Sequence, residues 1–219
     1  QIKRIHEYKR QLLNLLHTVA LYQAIRAEPG NRWVPRVKIF AGKAAASYQQ
    51  AKLIIKLTND IARTINHDHT VRGLLKVVFL PNYNVSLAEN IIPAADLSEQ
   101  ISTAGYEASG TSNMKFMLNG AVTVGTMDGA NVEIYKEVGD DNFVMFGLRA
   151  EEVARYHKFG GYRACAVYET DARVRRVLEQ LIDGSLPIPE EEARHIYNAL
   201  LDYNDEFFVL KDFSAYAAA

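Results

Sequence analysis

Chemistry concentrates in one run of the chain, Ser102-Thr103-Ala104-Gly105-Tyr106-Glu107-Ala108-Ser109-Gly110-Thr111-Ser112-Asn113-Met114-Lys115-Phe116-Met117-Leu118-Asn119-Gly120. Its small residues and glycines let a backbone bend closely around a ligand. Thr111 or Ser112 can cap the helix expected to follow, whose free N–H groups and dipole favour an anion such as phosphate. Lys115 comes one turn later, with apolar residues on both sides in the sequence. A lysine embedded among apolar groups loses its proton more readily and becomes nucleophilic enough for a Schiff base. An anion cradle followed by such an amine suits a phosphorylated aldehyde cofactor. An ordinary helix N-cap followed by a lysine that stretches its ammonium into water has the same pattern.

The second feature is Lys3-Arg4-Ile5-His6-Glu7-Tyr8-Lys9-Arg10, which packs four cations into the first turns of a predicted helix. Positive charge there opposes the helix dipole, a cost that a bound anion would offset. A solvated basic face partly balanced by Glu7 is the plainer alternative. Other candidates fall short. Ala41-Gly42-Lys43 lacks the upstream glycine and the following Ser or Thr of a P-loop, and neither G-x-G-x-x-G nor G-x-S-x-G occurs. His67-Asp68-His69 has no third ligand spaced nearby and reads as a polar surface loop, and Cys165 reads as a small buried apolar residue. The sequon Asn84-Val85-Ser86 is short enough to arise by chance.

These residues need elements to hold them. The apolar residues Ile5, Tyr8, Leu12, Leu15, Leu16, Val19 and Tyr22 recur at helical spacing and predict a helix from Ile5 to Ala27, ended by Pro29-Gly30. Val37 to Gly42 reads as a strand, Ala51 through Ile65 as a helix, Leu75 to Leu80 as a buried strand, and Ser86 to Ile92 as a short helix. Ala121 to Gly125 and Phe143 to Gly147 are further strands. Strands alternating with helices predict an α/β fold with a parallel sheet covered on both faces. In such a sheet ligands bind beyond the carboxyl ends of the strands, which directs attention to the loops after Gly42, Leu80, Ser102 and Gly125. Beyond Arg149 the pattern turns helical over Ala150 to Tyr156, Ala172 to Ile182 and Pro189 to Leu201, with Pro189 in a first turn ahead of three glutamates. The division expected is a core over 1–149 and a helical extension over 150–219, ending in alanines that could fray.

With 219 residues, 48% of them hydrophobic, the chain can bury a sizeable core. A net charge of -1 leaves no excess of cations for a nucleic acid backbone, so a nucleic acid partner is not expected. No apolar run spans a bilayer, no secretory signal opens the chain, and one cysteine cannot build a disulfide framework. The expected location is cytoplasmic. A start at Gln1 rather than methionine suggests a piece of a longer protein.

The block Lys3 to Asn14 resembles the Lys-Arg-Ile-His-Glu-Tyr-Lys-Arg-Gln-Leu-Leu-Asn block of α-glucan phosphorylases without a break. Glu99 to Gly105, Glu107 to Thr111 and Asn113-Met114-Lys115 look like that family's pyridoxal-phosphate signature, and Thr126-Met127-Asp128-Gly129-Ala130-Asn131-Val132-Glu133 follows at the usual distance. Long blocks in the family's order over the first two-thirds of the chain are far more specific than a short motif.

The resemblance implies a Rossmann-like lobe, the carboxyl-terminal half of the two-lobe GT-B glycosyltransferase architecture, from a member expected to be of bacterial type. It implies pyridoxal 5'-phosphate joined to Lys115 as a Schiff base, its phosphate cradled by the backbone of Thr111 and Ser112 with Lys3, and Tyr83 close by. Arg4 and Lys9 match the cations that hold substrate phosphate, and Glu107, Ser109 and Gly110 match positions that bind the transferred glucosyl unit. The implied reaction is attack of inorganic phosphate on a terminal α-1,4 glucosyl unit of glycogen or maltodextrin, giving glucose 1-phosphate with retention, without a metal. The pyridoxal ring is then no electron sink; its phosphate takes part in proton transfer. Family members are commonly homodimers several times longer than this chain. On that scale the amino-terminal domain, one opening strand and the last helices lie outside it, and turnover by this piece alone is not expected. Regulation by phosphorylation or nucleotides, found in some relatives, involves the amino-terminal region. Two positions depart from the family pattern: Ser112 stands where glycine is common, and Asn84 where some members carry arginine. A sugar-nucleotide-dependent glucan synthase of the same architecture, and a non-catalytic binding or structural module, are the alternatives.

Overall fold

The computed structural model describes residues 1–219, and it departs from the expected pattern first at the basic segment. Instead of one helix from Ile5, a 3-10 turn covers Glu7–Lys9 and helix α1 runs over Gln11–Ala27. Arg10, between them, has φ 56° and ψ 40°, a left-handed conformation that breaks the helical path. Its side chain holds it there. The fully buried guanidinium donates to the carbonyl oxygens of Ile101 (2.7 Å), Ser102 (3.3 Å) and Phe208 (3.3 Å) and pairs with Asp212 at 2.7 Å. A periodic apolar pattern cannot report such long-range anchoring. The four cations therefore do not load the first turns of a helix, and the dipole argument for an anion at that point is overturned.

Strand β1 (Arg36–Ala41) pairs in parallel with β2 (Leu75–Leu80), with helix α2 (Gln49–His67) as the crossover. Strands β3 (Leu97–Gln100), β4 (Val122–Gly125) and β5 (Phe143–Met145) form a second parallel set in that order. Helices α3 (Val85–Ile91), α4 (Ser112–Leu118) and α5 (Asn131–Val138) connect the strands from β2 to β5. The first ten residues join the two sets. Ile2 bridges Ala41 in parallel and the Lys3 N–H donates to the Ala41 carbonyl at 3.0 Å, while the Thr103 N–H donates to the Tyr8 carbonyl at 2.9 Å. The carboxyl ends of β1 and β3 are thereby brought to one seam, the switch point where α/β folds bind ligands. Gly42 makes the seam tight: at φ 153°, a Cβ there would lie 1.8 Å from the Lys3 carbonyl oxygen, so only glycine leaves Lys3 in place.

Helix α1 lies at the centre, with Leu13, Leu15, Leu16, Val19 and Ile25 almost wholly buried. It is apolar nearly all round because α2 packs on one side and the later helices α8 (Ala172–Ile182) and α10 (Val209–Ala218) on the other. The carboxyl-terminal helices thus share the main core with α1 and α2. They also include α6 (Ala150–Phe159), α7 (Ala164–Thr170) and α9 (Glu190–Leu201). Four expectations are corrected here. Pro189 is the N-cap of α9 rather than a first-turn residue, Cys165 is half-buried while its neighbour Ala164 takes the buried position, and the terminal alanines continue α10 to Ala218. Finally α5, α7 and α10 were not anticipated. No helix is long and apolar enough to cross a membrane.

Candidate functional site

Gln100, the last residue of β3, organises the seam. It accepts a hydrogen bond from Lys3 Nζ at 2.6 Å and donates to the hydroxyls of Ser98 (2.9 Å) and Ser112 (3.2 Å). The Lys3 ammonium is thereby held beside the start of α4. Neither candidate cap does its expected work. Thr111 occupies the N-cap position but its hydroxyl makes no capping bond, and the Ser112 hydroxyl is turned to Gln100. Met114 N–H is taken by the Asn113 side chain at 3.0 Å, and the N–H groups of Ser112 and Asn113 carry no protein acceptor. Free N–H groups beside a lysine are the chemistry that receives a phosphate.

Burial, and then the nearby Lys9 ammonium, bring the Lys3 pKa down to about 8. An anion bound there would relieve both effects, so proton and anion binding are coupled. Sulfate, doubly charged across this range, should bind this chain with constant affinity below about pH 8. Above it, affinity should fall by up to roughly tenfold per pH unit, since the lysine must regain its proton. Titration calorimetry from pH 6.5 to 9.5 would reveal the break, and Lys3→Met should abolish it; a flat profile in the unsubstituted chain would contradict the assignment.

Lys9 forms an ion pair with Glu107 and lies 4.8 Å from the centre of the Tyr8 ring. Burial disfavours its charge, but the bonds to Glu107 and Tyr8 outweigh this and raise its pKa. Tyr8 in turn stacks on Tyr106 with ring centres 5.9 Å apart. Arg4 is exposed on the same segment. Tyr83 is half-buried and packs in a small apolar cluster with Ile2, Ala41 and Phe116 of α4, which brings it to the flank of that helix. Asn84, the departure from arginine, caps α3 by accepting from the Leu87 N–H at 3.0 Å.

Lys115 differs from expectation. Its apolar neighbours in sequence do not enclose it, because Asn113 and Phe116 supply the buried face of α4 and Lys115 stands on the exposed side. Beside it Met114 and Leu118 are also exposed, Leu118 at 87%. The apolar enclosure expected to strip its proton is not built by these residues. The amine is nonetheless one turn from the free N–H groups, and Lys3 and Lys9 are engaged elsewhere. The residues present therefore fit a phosphorylated aldehyde: backbone donors and Lys3 for its phosphate, and an uncommitted amine for its carbonyl.

The loop between β3 and α4 is held from below by residues to which sequence reasoning gave no role. Asp128 accepts from the Ser102 hydroxyl and from the N–H groups of Gly105 and Glu107. Asn131 donates to the carbonyls of Gln100 (3.2 Å) and Thr126 (3.0 Å), and accepts from Asn113 at 3.0 Å. Ser109 is exposed, and its carbonyl accepts from the Ala130 N–H at 2.8 Å; Gly110 turns the chain at φ 88°. The available signal was the Asp128-Gly129 turn directly after β4, a dipeptide that bends backbone and offers a carboxylate to nearby N–H groups. Arg10, counted in the sequence only as one of four cations in the basic segment, is a structural anchor.

The family model for carbohydrate phosphorylases matches residues 1–219. The glycogen phosphorylase of Bacillus subtilis (strain 168) is 54% identical over 219 residues, all of this chain and 27% of that protein. That of Pasteurella multocida (strain Pm70) is 54% identical over 216 residues, 99% of this chain and 26% of the relative. The muscle form of glycogen phosphorylase from Bos taurus is 54% identical over 217 residues, again 99% and 26%. The chain thus spans about a quarter of the length of the curated relatives it matches. Unbroken similarity from first residue to last, over a parallel α/β lobe whose basic seam meets the start of α4, assigns this chain to the carbohydrate phosphorylase family.

Proposed function

We propose that this chain is the cofactor-binding part of a longer α-glucan phosphorylase that transfers terminal α-1,4 glucosyl units from glycogen or maltodextrin to inorganic phosphate, giving glucose 1-phosphate. The observation that carries this reading is the convergence of Lys3, Lys9 and the unpaired N–H groups of α4 on the seam between β1 and β3, in a chain of this family. Residues 1–149 would form the cofactor-binding core and 150–219 its helical extension.

Pyridoxal 5'-phosphate, when bound, would supply a second phosphate group able to exchange a proton with inorganic phosphate. Lys115 would hold its aldehyde carbon, the backbone of Thr111 and Ser112 together with Lys3 its phosphate, and Tyr83 would flank it. Arg4 and Lys9 would hold inorganic phosphate. Two phosphates side by side repel by an energy on the order of a few kcal/mol per pair of charges, which Lys3, Lys9 and Arg4 would offset. Glu107, Ser109 and Gly110 would receive the hydroxyls of the glucosyl unit. The Lys9–Glu107 pair links the two halves: a phosphate that draws Lys9 away frees the Glu107 carboxylate to accept a sugar hydroxyl.

Alone, the 219-residue chain should be inactive, because Arg4 and Lys115 are both exposed and water would reach the groups they would hold. The full-length protein should release glucose 1-phosphate from maltodextrin only when inorganic phosphate is supplied, as read by a coupled assay for that product. Phosphate-independent glucosyl transfer from a sugar nucleotide would instead identify a glucan synthase and overturn the proposal.

A further inference from the structure

We infer that Asp128 is a positioning residue for the sugar side of the site: its carboxylate fixes the Ser102–Glu107 loop and so sets where the Glu107 side chain meets a glucosyl unit. The inference deepens the phosphorylase reading and rests on it.

Asp128 is 5% exposed, and its two oxygens take three donors from one short stretch of chain. Oδ2 accepts from Ser102 Oγ and from the Glu107 N–H, both at 2.8 Å, and Oδ1 accepts from the Gly105 N–H at 2.9 Å. No lysine or arginine pairs with it, so these donors are what make a buried carboxylate tolerable. The next residue removes the remaining slack. Gly129 has φ 52°, and a Cβ on it would lie 2.5 Å from the Glu107 carbonyl oxygen and 2.6 Å from that of Ser109. The loop therefore rests directly on the turn after β4. Glu107 is tied at both ends, its N–H to Asp128 and its carboxylate to Lys9.

Asparagine at 128 keeps the shape but accepts through one oxygen, and its amide nitrogen opposes N–H donors. A loop released by about 1 Å costs on the order of a hundredfold in turnover of the substrate it positions. In the full-length enzyme, Asp128→Asn should lower kcat/KM for maltodextrin by roughly a hundredfold while the KM for phosphate and the pyridoxal content stay near those of the unsubstituted enzyme. Ser102→Ala, which removes one donor of three, should give a smaller loss of the same kind. Hydrogen exchange should quicken in the peptide spanning 103–107 and not in those covering β3 and β4. The inference is overturned if the enzyme phosphorolyses glucan and both variants leave the maltodextrin parameters unchanged. It is equally overturned if glucan, phosphate and cofactor parameters fall together in both, as a merely structural role would require. Absence of phosphorolysis in the unsubstituted full-length protein would instead sink the functional reading beneath it.

Discussion

Lys115→Ala in the full-length protein is expected to lose its pyridoxal phosphate on dialysis, and phosphorolysis with it. Of the three lysines assigned to the site, two are committed, Lys3 to Gln100 and Lys9 to Glu107. Lys115 alone is free to bond an aldehyde, so its loss leaves only the contacts to the cofactor phosphate. Linking two contacts through one molecule typically strengthens retention by roughly 10²–10⁴-fold, and that gain is what the substitution removes. The absorbance of the cofactor relative to protein after dialysis, followed by phosphorolysis with and without added pyridoxal phosphate, measures both halves of the expectation. Excess cofactor should restore part of the activity, because the phosphate contacts remain. A variant that keeps its full cofactor and activity through dialysis would contradict the role given to Lys115.

Arg10→Met should be the most damaging single change to stability. The guanidinium and Asp212 are almost completely buried, with side chains 0% and 5% exposed. Removing one partner of such a pair typically costs about 3–5 kcal/mol, because the other charge stays buried without compensation. Asp212 would keep one donor, the Leu148 N–H at 3.0 Å, while the Ile101 carbonyl would lose its donor and those of Ser102 and Phe208 would keep only the Thr126 hydroxyl (2.6 Å) and the Asp212 N–H (3.1 Å). Urea unfolding of the 219-residue chain should show a lower midpoint with an unchanged slope. Arg10→Met combined with Asp212→Leu should recover much of the loss, as buried ion pairs replaced by apolar residues commonly do. A midpoint unmoved by Arg10→Met alone would mean that this pair does not hold the basic segment against the β3 loop and α10.

The residues explain what could be read from the sequence and what could not. β1, β2, β4 and β5 were legible because they are short apolar, β-branched runs bounded by turn residues. β3 was not: Ser98 and Gln100 are buried polar residues, so Leu97–Gln100 does not look like a strand, and only the ligand loop beyond it was anticipated. The break at Arg10 was hidden for a related reason. The apolar spacing runs unbroken through Tyr8 and Leu12, while the force that turns the backbone comes from Asp212, two hundred residues away. In the candidate site, the quoted blocks cover the segments that meet at the seam, and packing decides what individual side chains do there. Lys115 looked enclosed because residues adjacent in sequence are apolar, yet on a helix they point in different directions. Asp128 and Asn131 were given no role by the sequence, because their partners in the loop above them, such as Ser102 and Gln100, lie 26 and 31 residues back in the chain.

The most direct test is reductive trapping. The purified full-length protein, treated with borohydride, digested and examined by mass spectrometry, should carry one pyridoxyl phosphate group, on the peptide that contains Lys115. A group found on Lys3, Lys9 or any lysine outside α4, or no group at all in an enzyme that phosphorolyses glucan, would contradict the claim that the start of α4 holds the cofactor.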